Sequence, residues 1–177
     1  MASNSGTYDF SKCIMIIKHP KFAGNILIDG YMNDSTITVA RSDPRWTQNP
    51  SGDGKSNTLV RNPVNAGTIT FSLNQSTDSL GKMNAIAEHG NISDGSDLLF
   101  QITLVDKSSG SVHFSNDAIV GEPESIEYGR EENGREFQIQ CGSLHSSIAG
   151  SAKIPKSTLA MIQALGFNVD ESRVADF

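Results

Sequence analysis

The sequence predicts a mainly β domain, an antiparallel sandwich or open barrel, with one internal α-helix and a C-terminal helical extension. Three features carry that expectation. Short apolar or alternating runs recur along the chain, turn residues separate them, and only two segments show apolar residues at helical spacing. The 177 residues suit one domain, and at 37% hydrophobic they can bury a core. We divide the chain into a β domain over 1–146 and a linker plus helix over 147–177.

The elements follow in order. Residues 13–18, CIMIIK, form a continuous apolar run, the pattern of a strand buried on both sides. NILI at 25–28 stops at Asp29-Gly30, a hairpin-turn pair. STITVAR at 35–41 puts Ile37 and Val39 on one face and Thr36, Thr38 and Ala40 on the other. A polar loop is predicted over 42–57, because its prolines and glycines exclude a central strand. Loops of this length are uncommon unless functional, and this one holds Trp46, the only tryptophan, beside Arg45. Trp and Arg are enriched at interface hot spots. The loop therefore either contacts another subunit or packs on its own domain, with Asp53 and Lys55 at its tip.

Strands resume with TLVRN at 58–62 and GTITFSLN at 67–74, where Ile69, Phe71 and Leu73 oppose Thr68, Thr70 and Ser72. Residues 76–90 predict the internal helix. Ser76 or Thr77 caps it, Asp78 suits its positive end, Leu80, Met83, Ile86 and Ala87 form its apolar stripe, and Gly90 closes it. DLLFQITLVD at 97–106 and SVHFSN at 111–116 read as a hairpin across KSSG. In REFQIQCGSL at 135–144, Phe137, Ile139 and Cys141 oppose Gln138 and Gln140. Residues 154–167 predict the second helix, with Leu159, Ile162 and Leu165 on one face.

The second face of these strands is rich in uncharged polar residues: Thr68, Thr70, Ser72, Gln101, Thr103, Gln138 and Gln140. Threonine's β propensity alone gives such a pattern. A wet, non-adhesive surface gives it too. Net charge is −6, which argues against a phosphate-gripping surface. The charge is uneven: residues 116–136 hold Asp117, Glu122, Glu124, Glu127, Glu131, Glu132 and Glu136 against Arg130 and Arg135.

Motifs for chemistry are weak. NPSGDGKS at 49–56 ends like a phosphate-binding loop, but Asn49 stands where a glycine is required and no helix follows. His19, His89, His113 and His145 are scattered, without metal-ligand spacing, and Cys13 and Cys141 lie in apolar runs. Glu127, Arg130 and Glu131 near Cys141 lack any sign of a pocket, and no G-x-S-x-G elbow exists. We expect no catalysis, cofactor, metal or membrane anchor.

Four segments together carry a resemblance: YDFSK at 8–12, TITVAR at 36–41 leading into the tryptophan loop, GTITFSLNQSTDSLGKMNAIAE at 67–88, and SIEYGREENGREFQIQCGSL at 125–144. They resemble the tail tube proteins of contractile-tailed bacteriophages, over residues 8–145. The resemblance implies hexameric rings stacked into a hollow tube through which the genome passes. DNA would cross the lumen without specific binding, and tail sheath and baseplate or terminator proteins would be partners. The chain would then be made in the host cytoplasm and reside in the virion. On that basis Arg45, Trp46, Asp53 and Lys55 are expected between rings, and Glu127, Arg130, Glu131, Arg135 and Glu136 in charge pairs between subunits. The Thr, Ser and Gln rows are expected at the lumen. A carbohydrate- or protein-binding sandwich of the tail is the alternative, weakened by an aromatic content of 7%.

Overall fold

The computed structural model describes residues 8–32, 35–53, 55–92, 98–123, 125–128, 133–150 and 164. The predicted C-terminal helix, apart from residue 164, lies outside them, as do Arg130 and Glu131. Ten strands and one α-helix follow in chain order among the described residues. The strands are β1 (Cys13–Lys18), β2 (Ile26–Ile28), β3 (Thr38–Arg41), β4 (Trp46–Pro50), β5 (Asn57–Arg61), β6 (Gly67–Leu73), β7 (Phe100–Asp106), β8 (Ser111–Val120), β9 (Arg135–Cys141) and β10 (His145–Ser147). The helix, α1 (Asp78–Ile92), falls between β6 and β7.

Eight strands make one antiparallel sheet in the order β2-β1-β7-β8-β9-β6-β3, with β10 also on β8. The pivot is β8. Its first half lies between β7 and β10, and its last three residues pair with β9. A register shift between Phe100 and Ile102 marks this change of neighbours, as bulges do where a strand bends. Sequence reasoning ended this strand at Asn116. It continues because Asp117 is satisfied within the bend, its Oδ1 accepting from Ser115 Oγ at 2.7 Å and from Ser143 N at 2.9 Å.

The sheet curls without closing into a barrel. After β2 the chain turns at Gly30 (φ 73°) and crosses to the far edge. There Tyr31 bridges to Leu73, Met32 N donates to Ser72 O, and Asn74 N donates to Gly30 O at 2.9 Å. The Asp29-Gly30 pair therefore makes a crossing rather than the expected hairpin. Only glycine fits: a Cβ there would stand 2.2 Å from Thr77 Cγ2. Beyond this crossing, β3 and β1 stay apart, and a groove of about 500 Å³ opens between them, lined by Phe10, Cys13, Val39, Leu104 and His113 among others.

One core fills the curl. Met15, Ile17, Ile28, Ile69, Phe71, Leu73, Ile102, Leu104, Phe137, Ile139 and Cys141 all point into it, as strand alternation predicts. Helix α1 adds Met83, Ile86 and Ala87. Thr77 caps the helix through Oγ1, which accepts from Leu80 N at 3.2 Å. Gly90 does not end it. The helix continues to Ile92, and Gly90 does not adopt the left-handed conformation of a C-terminal cap.

The expected loop over 42–57 is a second correction. Most of it forms an antiparallel hairpin of β4 and β5, separate from the main sheet and exposed at every strand position. The turn explains why its polar residues tolerate strand pairing on either side. Ser51 Oγ bonds Asp53, Asp53 Oδ1 accepts from Lys55 N, and Ser51 N donates to Ser56 O at 2.8 Å. Pro50 falls at the last strand position, where a lost donor costs little.

Candidate assembly surfaces

Three surfaces bear on function, and each follows from strand alternation. The first is the outer face of β3, β6 and β9. Register aligns Thr38, Thr70 and Gln138 in one row, Ala40, Thr68, Gln140 and Ile119 in the next, and Ser72 with Glu136. Glu136 is the only charged residue in these rows. The side chains stand away from the core, with Thr38, Gln138 and Gln140 exposed and Thr68 and Thr70 half-buried by their neighbours. Five of the seven predicted lumen residues thus share one face: Thr68, Thr70, Ser72, Gln138 and Gln140. Gln101 and Thr103 also point outward, but on β7, with β8 between them and β9. There Thr103 registers between Ile16 and Phe114. The expected set divides because β8 separates the two halves of the sheet, a topology that strand patterns do not encode.

The second surface is the β4–β5 arm. Trp46 opens it opposite Arg61 and is 55% exposed, while Leu59 is 58% exposed. Arg45 holds the base, its Nη2 donating to Asn65 Oδ1 at 3.1 Å and its carbonyl accepting from Asn62 N at 2.8 Å. Asp53 organises the tip through the turn bonds already described. Its carboxyl is held below the usual range, first by the Ser51 hydroxyl and then by the Lys55 amide. Of the four predicted contact residues, Trp46 and Lys55 are therefore presented outward, whereas Arg45 and Asp53 build the arm.

The third is the acidic segment before β9, and here the structure corrects the sequence reading. Arg135 faces inward and is buried. Its Nη1 donates to Glu127 O at 2.7 Å, its Nη2 to Gln75 Oε1 at 3.4 Å, and its guanidinium lies 5.0 Å from the Tyr128 ring centroid. The alternation that puts Phe137 in the core puts Arg135 there too. Its hydrogen-bond and ring partners lie in its own chain. Glu127 contributes a backbone carbonyl to it, while the Glu127 and Glu136 side chains are exposed.

The described residues hold no group of three or more His, Cys, Asp or Glu positioned for a metal ion. Burial pushes the thiols of Cys13 and Cys141 up, away from the reactive thiolate. No described helix is long and apolar enough to cross a membrane.

These surfaces sit on a fold found in contractile injection machines. No protein-family model matches the chain. In sequence it is similar to a structural protein, ORF10, of Pseudomonas phage KPP10, at 24% identity over 170 residues, covering 96% of this chain and 98% of the relative. In structure it is similar to a chain of the anti-feeding prophage baseplate, solved by cryo-electron microscopy with six-fold symmetry imposed. That match has a TM-score of 0.55 at 9% identity and covers 85% of this chain and 99% of the other. A chain from the sheath/tube terminator of the extracellular contractile injection system PVC matches with a TM-score of 0.50 at 10% identity, over 82% and 99% of the two chains. The chain is thus related to a phage structural protein and shares its fold with components of contractile injection systems.

Proposed function

We propose that this chain is a structural subunit of a phage tail tube, assembling as hexameric rings that stack into the conduit for genome delivery. The observation that carries this reading is the outer face of β3, β6 and β9. It offers rows of threonine and glutamine without a lysine or arginine, and it runs out to β3, the end strand of the sheet path. A strand edge left without a partner recruits one. If copies join along such edges, this face becomes the wall of a channel that DNA slides past, because hydroxyls and amides do not hold phosphate as ammonium and guanidinium groups do. The exposed arm supplies a contact to the next ring through Trp46 and Leu59. Such head-to-tail contacts form rings or filaments according to the rotation between copies. Likeness to a phage structural protein and to a chain from a six-fold symmetrised baseplate supports the same reading. On this reading the chain catalyses nothing, binds no cofactor, contacts sheath and baseplate or terminator proteins, and resides in the virion.

Negative-stain electron microscopy of the concentrated protein tests it. Six-fold rings or hollow tubes are expected. Isolated monomers at the highest soluble concentration, with and without a co-expressed sheath protein, would count against the proposal.

A further inference from the structure

The outer face of the other half of the sheet is apolar. Register runs Leu27, Ile16, Thr103 and Phe114 across β2, β1, β7 and β8, with Ile14, Val105 and Val112 in the adjoining row. None of the six apolar residues belongs to the core cluster, which lies on the opposite side. Leu27 is 50% exposed and Phe114 39%. A sheet face turned to water normally alternates into polar side chains, and contiguous apolar surface of this kind marks a docking site. The unbroken apolar run of β1 is itself the pattern of a strand covered on both sides.

The chain leaves the described domain at the margin of this face. Strand β10 pairs His145 with Phe114 and Ser147 with Val112, and the His145 ring stacks on Phe114 at 4.9 Å. Two residues beyond β10, Ala149 is fastened at both backbone groups to one hydroxyl: its N donates to Ser111 Oγ at 2.9 Å, and Ser111 Oγ donates to its carbonyl at 3.1 Å. The next apolar residues at helical spacing are Leu159, Ile162 and Leu165.

We propose that residues 154–166 of the same chain dock on this face as an amphipathic helix, with Leu159, Ile162 and Leu165 against Ile16, Phe114 and their neighbours. The dimensions agree. The four residues between Ala149 and this helix, extended, reach about 14 Å, enough to bring its start over the neighbouring strands. The five strands from β10 to β2 span about 19 Å at their usual spacing, and thirteen helical residues are about 20 Å long. The tether also favours the chain's own segment, since a short linker holds it at millimolar effective concentration. The docked segment shields the apolar half of the sheet and leaves the threonine and glutamine rows open. The proposal does not depend on tube formation.

Photo-crosslinking tests it in the full-length chain. Phe114 is replaced by p-benzoylphenylalanine, and isotopically heavy and light chains are mixed at low micromolar concentration. Cross-links to peptides containing Leu159–Leu165, joining heavy to heavy and light to light, are expected. Heavy-to-light links would overturn the proposal by showing a second copy on this face, and so would links elsewhere or none. As a second measurement, Ile162→Asp in the full chain should lower the cross-link yield at least about tenfold, because a carboxylate does not stay in an apolar contact. The same variant should raise the fluorescence of an apolar dye with the sheet's circular dichroism unchanged. Unchanged cross-linking and dye binding would also overturn it.

Discussion

Arg135 shows how a single position can be misread from pattern alone. In sequence it stands among carboxylates and looks like one half of a surface ion pair. In the fold it occupies an inward position on β9, directly across from Leu73, and its charge is met by the Glu127 carbonyl, the Gln75 amide and the Tyr128 ring. A buried cation stripped of such partners, or replaced without filling its volume, leaves the others unsatisfied. Arg135→Ala should therefore destabilise the monomer by about 2–4 kcal/mol in urea denaturation, before assembly enters. An unchanged midpoint would mean that the guanidinium is not needed in the fold. His113 gives a pH prediction at the same scale. Burial lowers its pKa from the ordinary 6.5, and its Nδ1 lies 2.9 Å from Ser146 Oγ. The unfolded chain thus takes up this proton first as pH falls. Its contribution to stability is complete above about pH 6.5 and is lost below it, until the folded-state pKa is passed. The urea midpoint should drop between pH 7 and pH 5, and less steeply in His113→Gln.

At the scale of elements, the β4–β5 arm is the clearest separation of folding from function. Every strand residue in it is exposed, and its ends meet at the hydrogen bond from Asn62 N to Arg45 O. Replacing residues 46–61 with a short Gly-Ser turn should leave monomer stability within about 1 kcal/mol, since no buried apolar surface is lost. If the chain assembles as proposed, the same deletion should abolish stacking of rings while single rings persist in electron micrographs. The elements differ in how legible they are in the sequence. Strands β6, β7 and β9 and helix α1 are plain because each buries one regular stripe. In the arm, TLVRN reads as a strand and becomes β5, but β4 buries nothing and has no hydrophobic period to read, and only the bonds among Ser51, Asp53 and Lys55 disclose the turn between them. The crossing at Gly30 is hidden for another reason. Asp-Gly marks a tight turn without saying which strand the chain meets next, and Thr77, 47 positions further along the chain but packed against Gly30, decides that glycine is required. The lumen set divides for a topological reason, since alternation assigns a face to each residue and cannot say that β8 comes between β7 and β9.

At the scale of the whole molecule, the two outer halves of one sheet have opposite chemistry, and this asymmetry yields the sharpest test of the channel reading. The row of Thr38, Thr70 and Gln138 lies outside the core, so Thr70→Arg with Gln138→Arg should leave the monomer's stability close to that of the parent, within about 1 kcal/mol. If the face lines a channel, the double variant still assembles, because the added charges project into water rather than into a contact. The assembled tubes should then retain DNA fragments that parent tubes release. That retention should fall with salt, with a log–log slope of about −0.9 for each phosphate engaged on a duplex. If the face is instead a contact between copies, the arginines are forced together without counter-charges, and the variant remains monomeric at concentrations where the parent forms rings. Assembly followed by salt-sensitive retention supports a channel wall. Loss of assembly with an intact monomer places the polar rows at an interface between copies and overturns the reading of this face as a channel wall.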